Sequence, residues 1–179
     1  MIEDIIGIIT KAAVQVTEKY LRLTTTYEPS GIVRERVFCY ELYHQLRLIL
    51  DDSNKLTLNG EIDKRGHKDF KAKDRKNPDF VFHIPGQHFG NTIIFEVKGT
   101  LDKKGIIKDF ETIITFISTY QYQAGVFLLY NNSLKSLMHV LGKKFDKFIN
   151  SEYAKQIFII TLPNAHNIET VMTIDQLKD

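Results

Sequence analysis

Apolar residues recur at intervals of three and four over the start of the chain: Ile2, Ile5, Ile6, Ile9, Ala13, Val16 and Tyr20. That spacing lines one side of a helix with hydrocarbon, so residues 2–22 are expected to form an outer amphipathic helix. Pro29 and Gly31 interrupt the pattern, and Ser30 is placed to cap the next helix. This second helix is expected over about 32–50, IVRERVFCYELYHQLRLIL. At about 100° per residue, Phe38, Leu42, Gln45, Leu46 and Ile49 form its core stripe, while Arg36, Tyr40, Tyr43 and Arg47 face solvent or a partner. Glu41 falls about 60° from Phe38, on the flank of that stripe, where a carboxylate needs a partner.

The pattern then changes to that of strands. KLTLNGEID, after the turn-rich DDSN, reads as a strand with Asn59-Gly60 as a bulge or turn. PDFVFHI, about 78–84, opens on a proline that has no amide hydrogen to give a ladder and so suits a strand start. Alternation places Asp79, Val81 and His83 on one face and Phe80, Phe82 and Ile84 on the other. IPGQHFGN, with Pro85, Gly86 and Gly90, reads as a hairpin connection into NTIIFEVK. There Thr92, Ile94, Glu96 and Lys98 share one face, and Ile93, Phe95 and Val97 the other. A third helix from about 104 carries Ile107, Phe110, Ile113, Ile114 and Ile117 at helical spacing. VFLLY and IFIITL (about 157–162) are continuous apolar runs of the kind found in strands covered on both faces. Between them Asn131, Asn132 and Ser133 cap a fourth helix to about 149, and ETVMTI reads as an edge strand. The order α, α, β, β, β, α, β, α, β predicts one α/β domain over 1–179. Its mixed β-sheet should be antiparallel first and parallel later, flanked by helices.

Composition narrows the class. A chain of 179 residues can bury roughly two thirds of its unfolded surface, and 43% hydrophobic with 26% charged residues is the balance of a soluble globular protein. The single cysteine, Cys39, cannot form an internal disulfide and reads as a packed thiol in a reducing compartment. MIEDIIGIIT carries Glu3 and Asp4 where a signal peptide needs positive charge, and no apolar run approaches the roughly 18 residues of a membrane span. A cytoplasmic protein with no membrane association is expected. Net charge is only +2, yet segment 64–76 holds Lys64, Arg65, Lys68, Lys71, Lys73, Arg75 and Lys76 against Asp69 and Asp74; seven minus two gives +5 in 13 residues. Such a block is either a solvated loop or an electrostatic footprint for a polyanion.

The candidate chemistry lies just after it. If the strands at 78–84 and 91–98 are hairpin neighbours, Phe80 and Phe82 join Phe95 and Val97 against helices, and Asp79, Glu96 and Lys98 converge on the other face. Two carboxylates at one point repel unless a cation lies between them. Oxygen ligands with open positions suit Mg²⁺, which keeps several waters and takes the rest of its shell from a substrate phosphate. Lys98 could contact an attacking water or a phosphate oxygen.

Pro78-Asp79 followed, after sixteen intervening residues, by Glu96-Val97-Lys98 resembles the PD-(D/E)xK nuclease superfamily, the fold of many type II restriction enzymes and of recombination and repair nucleases. Its shared core, αβββαβ, corresponds to segments from about 32 to 130. The resemblance implies a restriction-endonuclease-like core with an extra N-terminal helix and a C-terminal αβ extension. It also implies that Asp79 and Glu96 bind Mg²⁺ (or Mn²⁺ in its place), that the Val97 carbonyl completes the shell, and that Lys98 positions or activates water. Many members add an acid from the preceding helix; Glu41 fits that role, and Gln45, one turn on, could approach the same site. Bacterial recombination-type members carry a glutamine and tyrosine pattern after the lysine, whereas this chain offers Tyr120 and Gln121 only at the end of its helix. His44, His67, His83 and His88 match no zinc spacing. His83, sharing Asp79's face, is either a contact to substrate or metal or an ordinary strand histidine.

The expected function is that of a Mg²⁺-dependent endonuclease, a hydrolase of phosphodiester bonds in nucleic acid, DNA first, with the basic block holding the backbone. Stringent sequence recognition would need a homodimer or a partner protein, as in a bacterial restriction or defence system. The rival reading is a catalytically inactive nuclease-fold module that binds nucleic acid or scaffolds a complex. A third, an enzyme of small phosphorylated substrates, lacks a phosphate-binding glycine loop.

Overall fold

The computed structural model describes residues 1–50, 56–60, 77–85 and 90–178. The basic block, with Lys64, Arg65, Lys68, Lys71, Lys73, Arg75 and Lys76, lies outside the described residues, as do His67 and His88. In chain order the elements are α1 (Ile2–Ala13), α2 (Glu18–Leu21), α3 (Glu35–Ile49), β1 (Thr57–Gly60), β2 (Phe80–His83), β3 (Asn91–Lys98), α4 (Lys103–Tyr120), β4 (Ala124–Tyr130), α5 (Leu134–Leu141), α6 (Asp146–Ile149), β5 (Ile157–Leu162) and β6 (Thr170–Thr173).

The strands form one sheet in sequence order, β1 to β6. β1, β2 and β3 pair antiparallel, β3, β4 and β5 pair parallel, and β6 returns antiparallel to β5. This is the α/β mixed sheet that the order of periods predicts. β3 is buried from Thr92 to Val97 and β4 along its whole length, because helices cover both of their faces. On one face Phe80, Phe82, Phe95, Val97, Leu128 and Tyr130 pack with Ile9 of α1 and with Phe38 and Leu42 of α3. On the other, Val81, Ile94, Phe127 and Leu129 pack with Ile106, Phe110 and Ile113 of α4 and with Leu137 of α5. Gly125 lets α4 lie close to β4, since a Cβ there would meet the Ile113 side chain. Asp102 caps α4 by accepting from the N–H groups of Lys104 and Gly105, both at 3.1 Å.

Several expectations are corrected in detail. The single helix over 2–22 divides at Thr17, whose extended backbone (φ −82°, ψ 162°) opens the short α2, while Val16 and Leu21 stay buried across the break. The helix to 149 divides at Gly142, which adopts φ +51°. The bend lets Phe145 and Phe148 both pack on Phe110, with ring centroids 5.0 and 5.2 Å away. Asn59 and Gly60 are strand residues opposite Val81 and Phe80, not a turn; the irregularity falls instead between Phe82 and His83. On α3, Ile49 is exposed and Leu50 is buried in its place. Tyr43, expected on the wet side, stacks on Phe80 at 6.3 Å. No described helix is long and apolar enough to cross a membrane.

Candidate functional site

The β2–β3 ladder sets Phe80 opposite Phe95 and Val81 opposite Ile94. One step further brings Asp79 opposite Glu96. Directly opposed residues of an antiparallel pair point to the same face, with Cβ atoms about 4.5–5.5 Å apart. Glu96 shares the face of Ile94, on the α4 side of the sheet, and Asp79, just ahead of β2, reaches across the sheet edge beside it. Asp79 Oδ2 accepts from the Val97 N–H at 2.7 Å, and the Asp79 N–H is offered in turn to the Glu96 carboxylate. Burial raises Asp79 from 3.8 to about 6, against the pull of the Val97 hydrogen bond. Glu96, only 7% exposed, is raised well above the usual carboxylate range, first by burial and then by the charges of Asp79 and Asp109. Among the described residues, no ion pair reaches either carboxylate.

Lys98 lies at the end of the same strand, held from both layers of helix. Its Nζ is 3.1 Å from Glu35 Oε2 on α3 and 3.1 Å from Asp109 Oδ2 on α4. Burial disfavours its charge, but Asp109 and Glu35 outweigh that and hold its pKa above the ordinary lysine value. Burial likewise raises Asp109, with Lys98 opposing. Glu35 and Asp109 thus clasp one ammonium, whose charge also acts, more weakly, on Asp79 and Glu96.

Of the residues expected here, the fold brings together Asp79, Glu96, Val97 and Lys98, and it leaves three out. Glu41 accepts from Gln45 Nε2 at 2.7 Å along α3, and neither contacts the carboxylate pair or Lys98; the helix acid that reaches the site is Glu35. His83 binds Asn59 Oδ1 across to β1 at 2.6 Å, several residues down the strand from Asp79. Asp109 was not anticipated. The signal was there, a carboxylate among the buried Ile106, Phe110 and Ile113.

An open cleft of about 590 Å³ adjoins the cluster, between α3 and the β1–β2 edge, and Glu35, Asp79, Asn59, Tyr40 and Tyr43 are among its lining residues. Among the described residues, no group of three or more His, Cys, Asp or Glu side chains could hold a metal ion. The donors available are the Asp79–Glu96 pair and the Val97 carbonyl. These are few, hard oxygen ligands, with Asp79 facing the open cleft, and that set fits Mg²⁺, which keeps several waters, rather than a fully caged cation. No family model, curated protein or solved structure matches the chain.

Proposed function

We propose that the chain is a Mg²⁺-dependent endonuclease of the PD-(D/E)xK class, hydrolysing phosphodiester bonds in nucleic acid, DNA first, on a restriction-endonuclease-like core. The observation that carries this reading is a buried carboxylate pair with no ion-pair partner among the described residues, set beside a lysine that two other acids hold in place. The run α3-β1-β2-β3-α4-β4 supports the αβββαβ core, with α1 and α2 ahead of it and α5 to β6 after it.

Asp79, Glu96 and the Val97 carbonyl would hold Mg²⁺, or Mn²⁺ in its place. The bound ion would supply Lewis-acid polarisation of the scissile phosphate and a water of lowered pKa. The two carboxylates, ionised only at a cost in their buried position, would be brought to full charge by occupancy of the site. Lys98, held between the charges of Glu35 and Asp109, would offer its ammonium to the developing negative charge on a phosphate oxygen. Glu35 and Asp109 fix its direction. Segment 64–76, joined in sequence to the strand of Asp79, would hold the nucleic-acid backbone through salt-sensitive contacts.

The test is incubation of the purified protein with linear and circular DNA, single-stranded DNA and RNA, in Mg²⁺, Mn²⁺ or chelator. Cleavage should require the metal and be lost in Asp79→Ala and Glu96→Ala. Cleavage that survives chelation, or persists in both variants, would rule the mechanism out. Binding without cleavage under every metal would favour the inactive-module reading.

A further inference from the structure

The cleft beside the carboxylates has a wall of aromatic side chains that the proposed hydrolysis does not use. Arg36, Cys39, Tyr40 and Tyr43 line it from one face of α3, and Asn59, Asp79 and Phe80 line it from the sheet edge. From Glu35 to Tyr43 the helix advances about 12 Å, at about 1.5 Å per residue, so the wall leads away from the acids by roughly two turns. Tyr43 is fixed to the floor by its stacking on Phe80, with planes 19° apart. Tyr40 is different: it is 65% exposed, a large ring that lines the concave site yet stands largely in water. Asn59 Oδ1 accepts from the His83 ring, so among the described residues its two side-chain N–H donors face the cleft for an acceptor on a ligand. A volume of about 590 Å³ lies within the roughly 300–1,000 Å³ of small-molecule sites.

Resting on the nuclease reading above, we propose that this cleft is a nucleobase subsite. In it an unpaired base of a single strand stacks on Tyr40, and the adjoining phosphodiester reaches Asp79 and Glu96. A base inside a duplex has both faces covered by its neighbours and cannot present one to a side chain, whereas an unpaired base can. The chain therefore acts on single-stranded rather than fully paired nucleic acid.

The experiment is fluorescence anisotropy with a labelled 12-nucleotide single strand and the blunt duplex of the same sequence, in Ca²⁺ in place of Mg²⁺. Wild type, Tyr40→Ala and Tyr40→Phe are compared, with dAMP as competitor. The single strand should bind more tightly than the duplex. Tyr40→Ala should weaken its binding by about tenfold or more, the usual weight of one stacked base, while Tyr40→Phe, which keeps the ring, binds like wild type. dAMP should displace the strand only at far higher concentration than the strand itself. A single-strand affinity unchanged in Tyr40→Ala, an equal loss on the duplex, no binding of either oligonucleotide, or dAMP binding as tightly as the strand would each overturn the subsite. Because Tyr40 is exposed, its variants should melt with wild type. Tyr40-dependent binding without metal-dependent cleavage would support the subsite and remove the nuclease reading; cleavage with Tyr40-independent binding would do the reverse.

Discussion

Replacing Asp79 by asparagine should make the metal-free protein more stable while abolishing its proposed activity. Burial raises the Asp79 carboxyl from 3.8 to about 6, a difference of about two units, and each unit corresponds to about 1.36 kcal/mol between the two protonation states. The folded chain holds this proton more tightly than the unfolded chain does. No cost is therefore incurred below pH 3.8; the cost grows as pH rises through about 6 and is complete above it. At pH 7.5 the ionised carboxylate then costs the fold about 3 kcal/mol as an upper bound, and at pH 4.5 only about 1 kcal/mol. Asparagine keeps an oxygen for the Val97 N–H, carries no charge, and removes one of the causes that raise Glu96. Urea denaturation in chelator reads the difference. With a slope of about 1–3 kcal/mol per molar urea, the midpoint of the variant should lie about 1 M above wild type at pH 7.5. Saturating Mg²⁺ should close that gap from the wild-type side by about 2.7 kcal/mol at a hundredfold excess over Kd and leave the variant unmoved. A variant no more stable than wild type at pH 7.5, or a gain equal at both pH values, would refute the reasoning.

Lys98→Met removes the cation between Glu35 and Asp109 and leaves Asp109 buried without its counter-charge. Stability at neutral pH should drop by about 3 kcal/mol, and Asp109→Asn in the same chain should recover most of it, a coupling that a double-mutant cycle of denaturation midpoints measures. Glu41→Gln should leave the Mg²⁺-dependent cleavage rate within about twofold of wild type, whereas Glu35→Gln, which frees Lys98 on one side, should lower it by about tenfold or more. Gly125→Ala forces a methyl group against Ile113, which should cost about 1–3 kcal/mol. In a thermal melt that is about 2–4 °C for each kcal/mol in a chain of this size.

What the sequence discloses is whatever parity decides. A strand side chain lies on one face or the other, so Asp79, Glu96 and Lys98 could be sorted from Phe80, Phe95 and Val97 without coordinates, and β3 has the full expected length, Asn91–Lys98. Helical angle is less decisive. Glu35 and Glu41 lie three residues to either side of Phe38 and so about 60° away on opposite flanks; which flank meets the end of β3 depends on how the helix is laid across the sheet, and that is set by residues far along the chain. Asp109 escaped for a related reason. The apolar stripe read through Ile107 and Ile114 is rotated in the structure toward Ile106, Thr112 and Phe116, and that turn carries Asp109 inward to Lys98. The breaks at Thr17 and Gly142 were hidden because burial resumes beyond them, at Leu21 and at Phe145, so the period alone reads through.

Whether the Asp79–Glu96 pair is a divalent-cation site is tested most directly by calorimetric titration of the purified protein with Mg²⁺ at neutral pH. One binding event is expected, weakened by at least about tenfold in both Asp79→Asn and Glu96→Gln, untouched in Glu41→Gln, and accompanied by proton release when repeated near pH 6. No binding to wild type, or binding of equal strength in both carboxamide variants, would contradict it.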